Sequence, residues 1–269
     1  MRSWFSRAAL AALTAAGVCG AMHQRPAAAA DGYGKVTGRF VFEGEVPEPR
    51  KIVAKGDPQV KDPQVCAAQD LFANDLVVDP ESKGIANIFV YLRSVKPADV
   101  HPQLKASARK EVVFDQKSCE FIPHAMFVRT DQEVLVKSDD PVPHNTRTNP
   151  LRNRGVNFAV RANDRAGQRV THTVAESLPT EVKCDFHPHM RAFWLILDHP
   201  YAAVTDENGE FTIDKLPAGD HEFRVWQERA YLVPLPDSPR RGTLKVTVKA
   251  DEVTDLGEIK LPAAIFESE

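Results

Sequence analysis

The sequence predicts an all-β protein made of two successive β-sandwiches. Its 269 residues include 20 prolines, and 43% of them are hydrophobic. Short runs of Val, Ile and Phe are separated by Asp, Asn, Gly and Pro, which is the pattern of strands joined by turns. Proline disrupts helix interiors and is tolerated at strand ends. These observations favour β-structure over a helical bundle.

The N-terminal segment, residues 1–30, has the pattern of a secretory signal peptide. Arg2 and Arg7 precede a small, apolar stretch, and three consecutive alanines stand just before Asp31. This arrangement predicts cleavage and export, to the periplasm in a bacterium. The apolar stretch is shorter than the roughly 20 residues of a membrane span, so we expect no span after signal removal. Cys19 would be lost with the signal peptide.

The charge of the chain argues against a nucleic-acid partner. The formal net charge is -3, and residues 1–30 contain no acidic side chain, so the exported chain is more acidic still. Nucleic-acid binding depends on clustered positive charge. Mild acidity favours solubility and is compatible with a basic partner protein.

Residues 31–200 are predicted to form the larger β-sandwich domain. Val36, Phe40 and Phe42 share one parity, which indicates a half-buried strand over residues 35–42. The segment that follows is irregular in composition, rich in Pro, Asp and Lys over residues 45–75, and a short helix is expected within residues 96–110. Apolar or alternating runs predict further strands at residues 85–92, 111–114, 125–129, 133–137, 155–160, 168–174, 180–184 and 191–197.

Residues 201–269 are predicted to form the second, smaller sandwich. A strand at residues 201–205 is followed by a turn at residues 206–209, and Phe211 and Ile213 then alternate with polar residues, as in a hairpin. Later apolar residues repeat at strand spacing. They are Phe223, Val225, Leu244, Val246 and Val248, with a last strand at residues 256–261.

Three cysteines remain after the predicted signal peptide: Cys66, Cys119 and Cys184. An odd number in an oxidising compartment leaves one thiol without a disulfide partner. Metal ligation keeps such a thiolate deprotonated and protected, so we assign Cys66 and Cys119 to a disulfide and Cys184 to a metal. The alternatives are a different pairing, or a Cys184 that is only a small buried hydrophobic residue.

Cys184, His187 and Met190 place a thiolate, an imidazole and a thioether on one short loop between two predicted strands. His144 follows another predicted strand, in a loop that a sandwich can bring to the same end. Two imidazoles and a thiolate with a weak axial Met are the ligands of copper sites that transfer electrons. The sequence therefore predicts one copper ion bound by these four residues.

Each predicted ligand has an expected role. Cys184 would supply the covalent thiolate bond, and His144 the buried imidazole. His187 would be the imidazole nearer the surface, through which electrons pass, and Met190 would tune the reduction potential. A mixed set of nitrogen and sulfur ligands suits both Cu(I) and Cu(II), so little has to rearrange when an electron arrives.

The Cys-x-x-His-x-x-Met loop, with the upstream Pro143-His144-Asn145, resembles the blue copper proteins of the cupredoxin family, amicyanins above all. This resemblance implies a Greek-key sandwich over residues 31–200. Residues 201–269 resemble a carboxypeptidase regulatory-like, transthyretin-type sandwich, a module usually without catalysis. Bacterial methylamine-utilisation-type proteins that join the two modules are similar along the whole chain.

Three residues outside the predicted ligand set leave further alternatives open. His124 and Met126 could form a second metal site, or His124 could be an ordinary histidine beside a disulfide. His189 could replace His187 or contact a partner, but an exposed loop histidine more often does neither.

The predicted function is one-electron transfer with redox partner proteins. A redox-silent periplasmic copper carrier would use the same ligands, and a structural or adhesive module would not need copper at all. We expect no enzyme activity, because the sequence has no Gly-rich phosphate loop, Gly-x-Ser-x-Gly elbow or His-Glu-x-x-His motif. Four protein ligands on one copper would also leave no position for a substrate.

Overall fold

The computed structural model describes most of the chain and shows an all-β protein, which confirms the predicted fold class. The described residues are 1, 32–236, 238 and 240–267. The predicted signal peptide beyond Met1, including Cys19, lies outside them. None of the helices in the described residues is long and apolar enough to cross a membrane.

The strands are short, and most are bounded by turns that contain Gly, Asp, Asn or Pro. In chain order they are β1 (Tyr33–Glu43), β2 (Lys51–Val53), β3 (Leu71–Phe72), β4 (Phe89–Leu92), β5 (Glu111–Lys117), β6 (Glu120–Ile122), β7 (Ala125–Arg129), β8 (Glu133–Val136), β9 (His144–Thr148), β10 (Asn157–Val160), β11 (Gln168–Thr171), β12 (Thr180–Lys183), β13 (Arg191–Leu197), β14 (Ala202–Val204), β15 (Glu210–Pro217), β16 (Gly219–Gln227), β17 (Tyr231–Leu232), β18 (Thr243–Val248) and β19 (Val253–Pro262). The helices within the part of the chain that the structure describes are α1 (Pro63–Cys66) and two 3-10 turns, Pro102–Leu104 and Ala263–Ile265.

In the described residues, four sheets form two sandwiches. Sandwich A consists of a sheet in the order β15-β1-β19 and a sheet in the order β14-β4-β16-β17, with β18 also paired to β16. Sandwich B consists of a sheet in the order β10-β9-β12-β13-β7 and a sheet in the order β11-β8-β5-β6. β2 and β3 form a separate two-stranded ribbon.

The alternation of side chains along the strands explains why the two sandwiches pack against each other. In β4, Val90 joins the core of sandwich A, whereas Phe89 and Tyr91 point to the opposite face. That face packs against β13, where Phe193 and Leu195 alternate with residues that enter the core of sandwich B. Since successive side chains of a strand point to opposite faces, both strands are buried on both sides.

The sheets do not follow the predicted division of the chain at residue 200. β1 pairs antiparallel with β15 and parallel with β19, and β4 pairs antiparallel with β16. Strands from before residue 93 and after residue 200 thus share the sheets of sandwich A. Alternation reveals that a segment is a strand, but it does not reveal the partner strand, which is why this topology was not predicted.

The helix expected within residues 96–110 is reduced to the 3-10 turn Pro102–Leu104. The guanidinium of Arg129 donates to the carbonyls of Leu104 and Lys105, at 2.8 and 3.1 Å. These carbonyls therefore have a partner outside a helix, and an isolated helix of this length is only marginally stable.

The irregular segment predicted at residues 45–75 contains β2, α1 and β3, and it is attached to sandwich B by a disulfide. Cys66 and Cys119 form this bond, with their Cα atoms 5.1 Å apart. Both residues are fully buried. The predicted disulfide is thus confirmed, and Cys184 is the free cysteine of the described residues.

Candidate metal centre

Three of the four predicted ligands converge in the core of sandwich B. The δ-nitrogens of His144 and His187 lie 2.9 Å apart. The sulfur of Cys184 lies 4.0 Å from the δ-nitrogen of His144 and 3.7 Å from that of His187. All three side chains are buried.

Two strands and one turn bring these residues together. Cys184 directly follows β12, and the turn to β13 is closed by two backbone bonds. The N–H of Cys184 donates to the carbonyl of Met190 at 3.3 Å, and that of Met190 donates to the carbonyl of His187 at 2.9 Å. β9 pairs with β12, with Arg147 opposite Lys183, so that His144 enters from the neighbouring strand. His144 was predicted to lie in a loop, but it is the first residue of β9.

Asn145 connects the two ligand segments. Its backbone N–H points at the sulfur of Cys184 at 3.4 Å. Its side-chain oxygen accepts the backbone N–H of Asp185 at 2.5 Å, and its amide nitrogen donates to Asn157 at 2.8 Å. Asn145 belongs to the Pro143-His144-Asn145 motif, which by itself predicts no role for its side chain. Its role is to fix the distance between β9 and the Cys184 turn.

Each imidazole has a carboxylate on its second nitrogen. The ε-nitrogen of His144 lies 2.8 Å from Asp140, and that of His187 lies 3.0 Å from Asp62. Ionised carboxylates only accept hydrogen bonds, so both ε-nitrogens carry the donated hydrogen. Carboxylates placed in this way orient metal-binding histidines and raise their basicity. Sequence reasoning did not assign Asp62 or Asp140 to the site.

The arrangement leaves two δ-nitrogen lone pairs facing each other beside a thiol. A cation held by both nitrogens, or a proton on one of them, satisfies this contact. Burial alone would raise the pKa of Cys184, but bonds from His144, His187 and the Asn145 N–H lower it to about 6. Burial alone would lower the pKa of His144, but Asp140 and Cys184 raise it. Thiolate and imidazole therefore stabilise each other's charged forms, and the donor set fits a metal cation.

The exposure of the two imidazoles differs from the sequence-based expectation. His187 was expected to lie nearer the surface, but its side chain and that of His144 are both 0% exposed. Asp62, from the segment before β3, covers the outer edge of the His187 ring. No local pattern predicts this contact, because Asp62 and His187 are 125 positions apart.

Met190 is buried in the same hydrophobic core as Cys184. Its backbone closes the turn that carries His187. The structure therefore places it beside the predicted ligands, and its role as the axial ligand remains a prediction.

The residues for which alternatives were left open lie outside the convergent group. The ε-nitrogen of His124 pairs with Glu228 at 2.8 Å, whereas Met126 packs in the core of sandwich B. The ring of His189 lies 6.1 Å from that of His187, centroid to centroid. In the described part of the chain, no group of three His, Cys, Asp or Glu ligands within metal-binding distance includes His124 or His189.

Comparison with known proteins finds partial likeness to small copper proteins. No family model matches the chain, and no curated protein matches its sequence. A reduced amicyanin mutant is 17% identical, with a TM-score of 0.29, over 40% of this chain and 97% of that one. Amicyanin from Paracoccus versutus is 16% identical, with a TM-score of 0.28, over 40% and 96%. A purple cupredoxin from Nitrosopumilus maritimus is 14% identical, with a TM-score of 0.27, over 33% and 99%.

The matches to these structures cover less than half of the chain. None of the matches supports the resemblance of residues 201–269 to a transthyretin-type module, or of the whole chain to methylamine-utilisation-type proteins.

Proposed function

We propose that this chain is an exported copper protein that carries single electrons between redox partner proteins. His144, Cys184 and His187 would hold one copper ion, with Met190 as a weak axial ligand. The observation that carries the proposal is the convergence of two imidazole δ-nitrogens and one thiol within 4.0 Å in a buried site. When bound, the copper would supply a centre that alternates between Cu(I) and Cu(II).

The protein's own residues suit this task because hydrogen bonds from neighbouring residues hold them in place. Asp140 and Asp62 orient the two imidazoles, and Asn145 fixes the Cys184 turn against β9. Ligands locked by surrounding bonds move little when the charge of the site changes. The buried position also excludes water, which favours electron transfer over reaction with solvent.

A second candidate is a copper carrier without redox activity. The complete burial of both imidazoles favours it, because neither ring presents an exposed edge to a redox partner. The two candidates share the same ligands. They differ in whether the thiolate forms the short, strongly covalent bond to Cu(II) that produces an intense visible band.

The visible absorption spectrum of the chain loaded with Cu(II) tests both candidates, with Cys184→Ser measured beside it. Electron transfer predicts an intense thiolate-to-copper band that is absent from Cys184→Ser. Replacement of His144 by Gln should also remove the band. His172→Gln is the matched control, because His172 is a buried histidine of sandwich B that does not contact the site.

Stoichiometric copper binding without the band would replace the electron carrier by the redox-silent carrier. If no copper binds, both proposals fail and a structural or adhesive role becomes the working hypothesis.

A further inference from the structure

The carboxylate that covers His187 comes from a strained position just before a short helix. Asp62 has a left-handed backbone, with φ of 54°, and directly precedes α1. Its carbonyl accepts the N–H groups of Val65 and Cys66, both at 3.0 Å. Its side chain makes no helix-capping bond and instead bonds to the ε-nitrogen of His187 at 3.0 Å. Such strain is typical of functional positions.

Asp140, the carboxylate that orients His144, is held by the turn that contains Cys119. Cys119 forms a disulfide with Cys66, the last residue of α1. Ser118 and Cys119 both have left-handed backbones, with φ of 54° and 58°. They form the two-residue turn between β5 and β6, and successive backbone N–H groups of a turn can bind an anion. The N–H of Ser118 donates to one oxygen of Asp140 at 2.5 Å, and that of Cys119 donates to the other at 2.9 Å.

The Cys66–Cys119 bond therefore joins the two supports of the metal site. Cys66 is the last residue of α1, which begins just after Asp62, and Cys119 donates to Asp140. The two bonded sulfurs also lie within 4.8 Å of a ring nitrogen of His187. A continuous chain of contacts thus runs from one imidazole to the other through a single covalent bond.

We propose that Asp62, Asp140 and the Cys66–Cys119 disulfide form a clamp that closes the site over Cys184 and slows the exchange of its metal. The identity of that metal rests on the proposed function, whereas the clamp itself does not. Asp62 is a positioning residue in this proposal, since it acts on the metal through His187. The disulfide keeps α1 against the site, so Asp62 does not leave the ring when the metal does.

The clamp makes a prediction for the metal-free protein, in which Cys184 is a buried thiol. Iodoacetamide reaches this thiol only when the cover opens. Its rate of alkylation, followed by mass spectrometry of the peptide that contains Cys184, therefore reports the opening. Loss of a hydrogen bond to a charged group should accelerate alkylation roughly tenfold.

The variants separate the carboxylate from the backbone strain. Asp62→Gly removes the side chain and fits the left-handed backbone, so faster alkylation would not come from new strain. Asp62→Asn retains an acceptor oxygen and should have a smaller effect. The double variant Cys66→Ser/Cys119→Ser frees α1 and should have the largest effect. Asp251→Asn is the matched control, because Asp251 is an exposed aspartate with a similar φ of 58°.

Copper release provides the second measurement. Chains loaded with Cu(II) are mixed with excess EDTA, and the Asp62 and disulfide variants should release copper about 10–100-fold faster than the wild type, the usual cost of losing a residue that orients a ligand. Asp251→Asn should release it at the wild-type rate.

The outcomes distinguish this proposal from the proposed function. If the wild type binds no copper, the proposed function fails, and alkylation of the metal-free chain still decides the clamp. If Asp62→Gly and the double cysteine variant are alkylated at the wild-type rate, the clamp is wrong even where the melting temperature falls.

Discussion

Four histidines are almost completely buried in the described part of the chain, and they fall into two pairs. His144 and His187 lie in the candidate metal centre, and each has a carboxylate on its ε-nitrogen. His172 and His199 lie elsewhere and have none. His172 has an unpartnered δ-nitrogen, and His199 has an unpartnered ε-nitrogen, among the described residues.

The difference shows that burial by itself does not distinguish the histidines of the candidate metal centre from the others. Burial lowers the pKa of His172 and lowers that of His199 to about 4. In His144 the same effect is outweighed by Asp140 and Cys184, so its pKa is raised. Acidic partners thus stabilise positive charge on or beside a buried imidazole, whereas a buried imidazole without them favours its neutral form.

The largest expected effect comes from removing the carboxylate that distinguishes the first pair. Asp140→Ala would leave the ε-nitrogen of His144 and the N–H of Cys119 buried without an acceptor, and the half-buried N–H of Ser118 would lose its acceptor as well. Hydrogen bonds to a charged group contribute about 1.5–3 kcal/mol each, so the loss of these three bonds should cost about 3–5 kcal/mol. We expect the free energy of unfolding of the metal-free protein, measured in urea, to fall by that amount.

Asp139→Ala is the matched control for this substitution. Asp139 is the neighbouring residue, and its side chain is 45% exposed and makes only surface ion pairs with Lys117 and Arg165. Surface pairs contribute about 1 kcal/mol or less. Equal losses for the two alanine variants would show that the carboxylate of Asp140 has no special role.

Most of the longer strands were predictable because each has a local signature, whereas β9, which begins at His144, was expected to be a loop. β13 alternates between two cores and occupies the predicted residues 191–197. The pairing of β1 with β19 was not predictable, because burial patterns do not encode strand partners. The prediction of a helix within residues 96–110 was wrong because a distant side chain, Arg129, binds the carbonyls of Leu104 and Lys105 that a helix would use.

The candidate site follows the same distinction between local and distant information. Cys184 and His187 were predicted together because one turn contains both, and the disulfide followed from the odd number of cysteines. The role of Asp62 was not predicted because the composition of its segment is that of an ordinary loop, and only its contacts with sandwich B set it apart. Its contact with His187 spans 125 positions, and no local pattern reports it.

The second prediction concerns the pH dependence of stability that a buried histidine without a carboxylate partner should cause. The folded pKa of His199 is about 4, below the ordinary value of 6.5. The unfolded chain therefore binds a proton at His199 first as the pH falls. Stability is lost between pH 6.5 and about 4, and it is retained above pH 6.5.

His199→Asn should remove this loss. The side-chain oxygen of Asn can still accept the Tyr201 N–H, which His199 now accepts at 3.2 Å. Between pH 7 and pH 4 we expect the wild type to lose about 3 kcal/mol more than the variant. Urea unfolding at both pH values measures this difference. Parallel losses in the two proteins would mean that His199 is already protonated, or accessible to water, in the folded state.

The smallest expected effect, that of His172→Leu, is also part of the most direct test. The same replacement of His by Leu should raise the free energy of unfolding in the second pair and lower it in the first. His172 is 5% exposed and packs edge-on against Trp194, with ring centroids 5.9 Å apart. Its unpartnered δ-nitrogen is a buried polar atom without compensation. Since such an atom costs free energy, His172→Leu should raise the free energy of unfolding by about 1 kcal/mol.

His144→Leu makes the same replacement beside a carboxylate. Asp140 would be left buried without the imidazole, and stability should fall by about 3–5 kcal/mol. Both variants are measured by urea unfolding of the metal-free protein at pH 7. If His172→Leu were as destabilising as His144→Leu, His172 would also have a polar partner, and the presence of a carboxylate would no longer separate the histidines of the candidate metal centre from the other buried histidines.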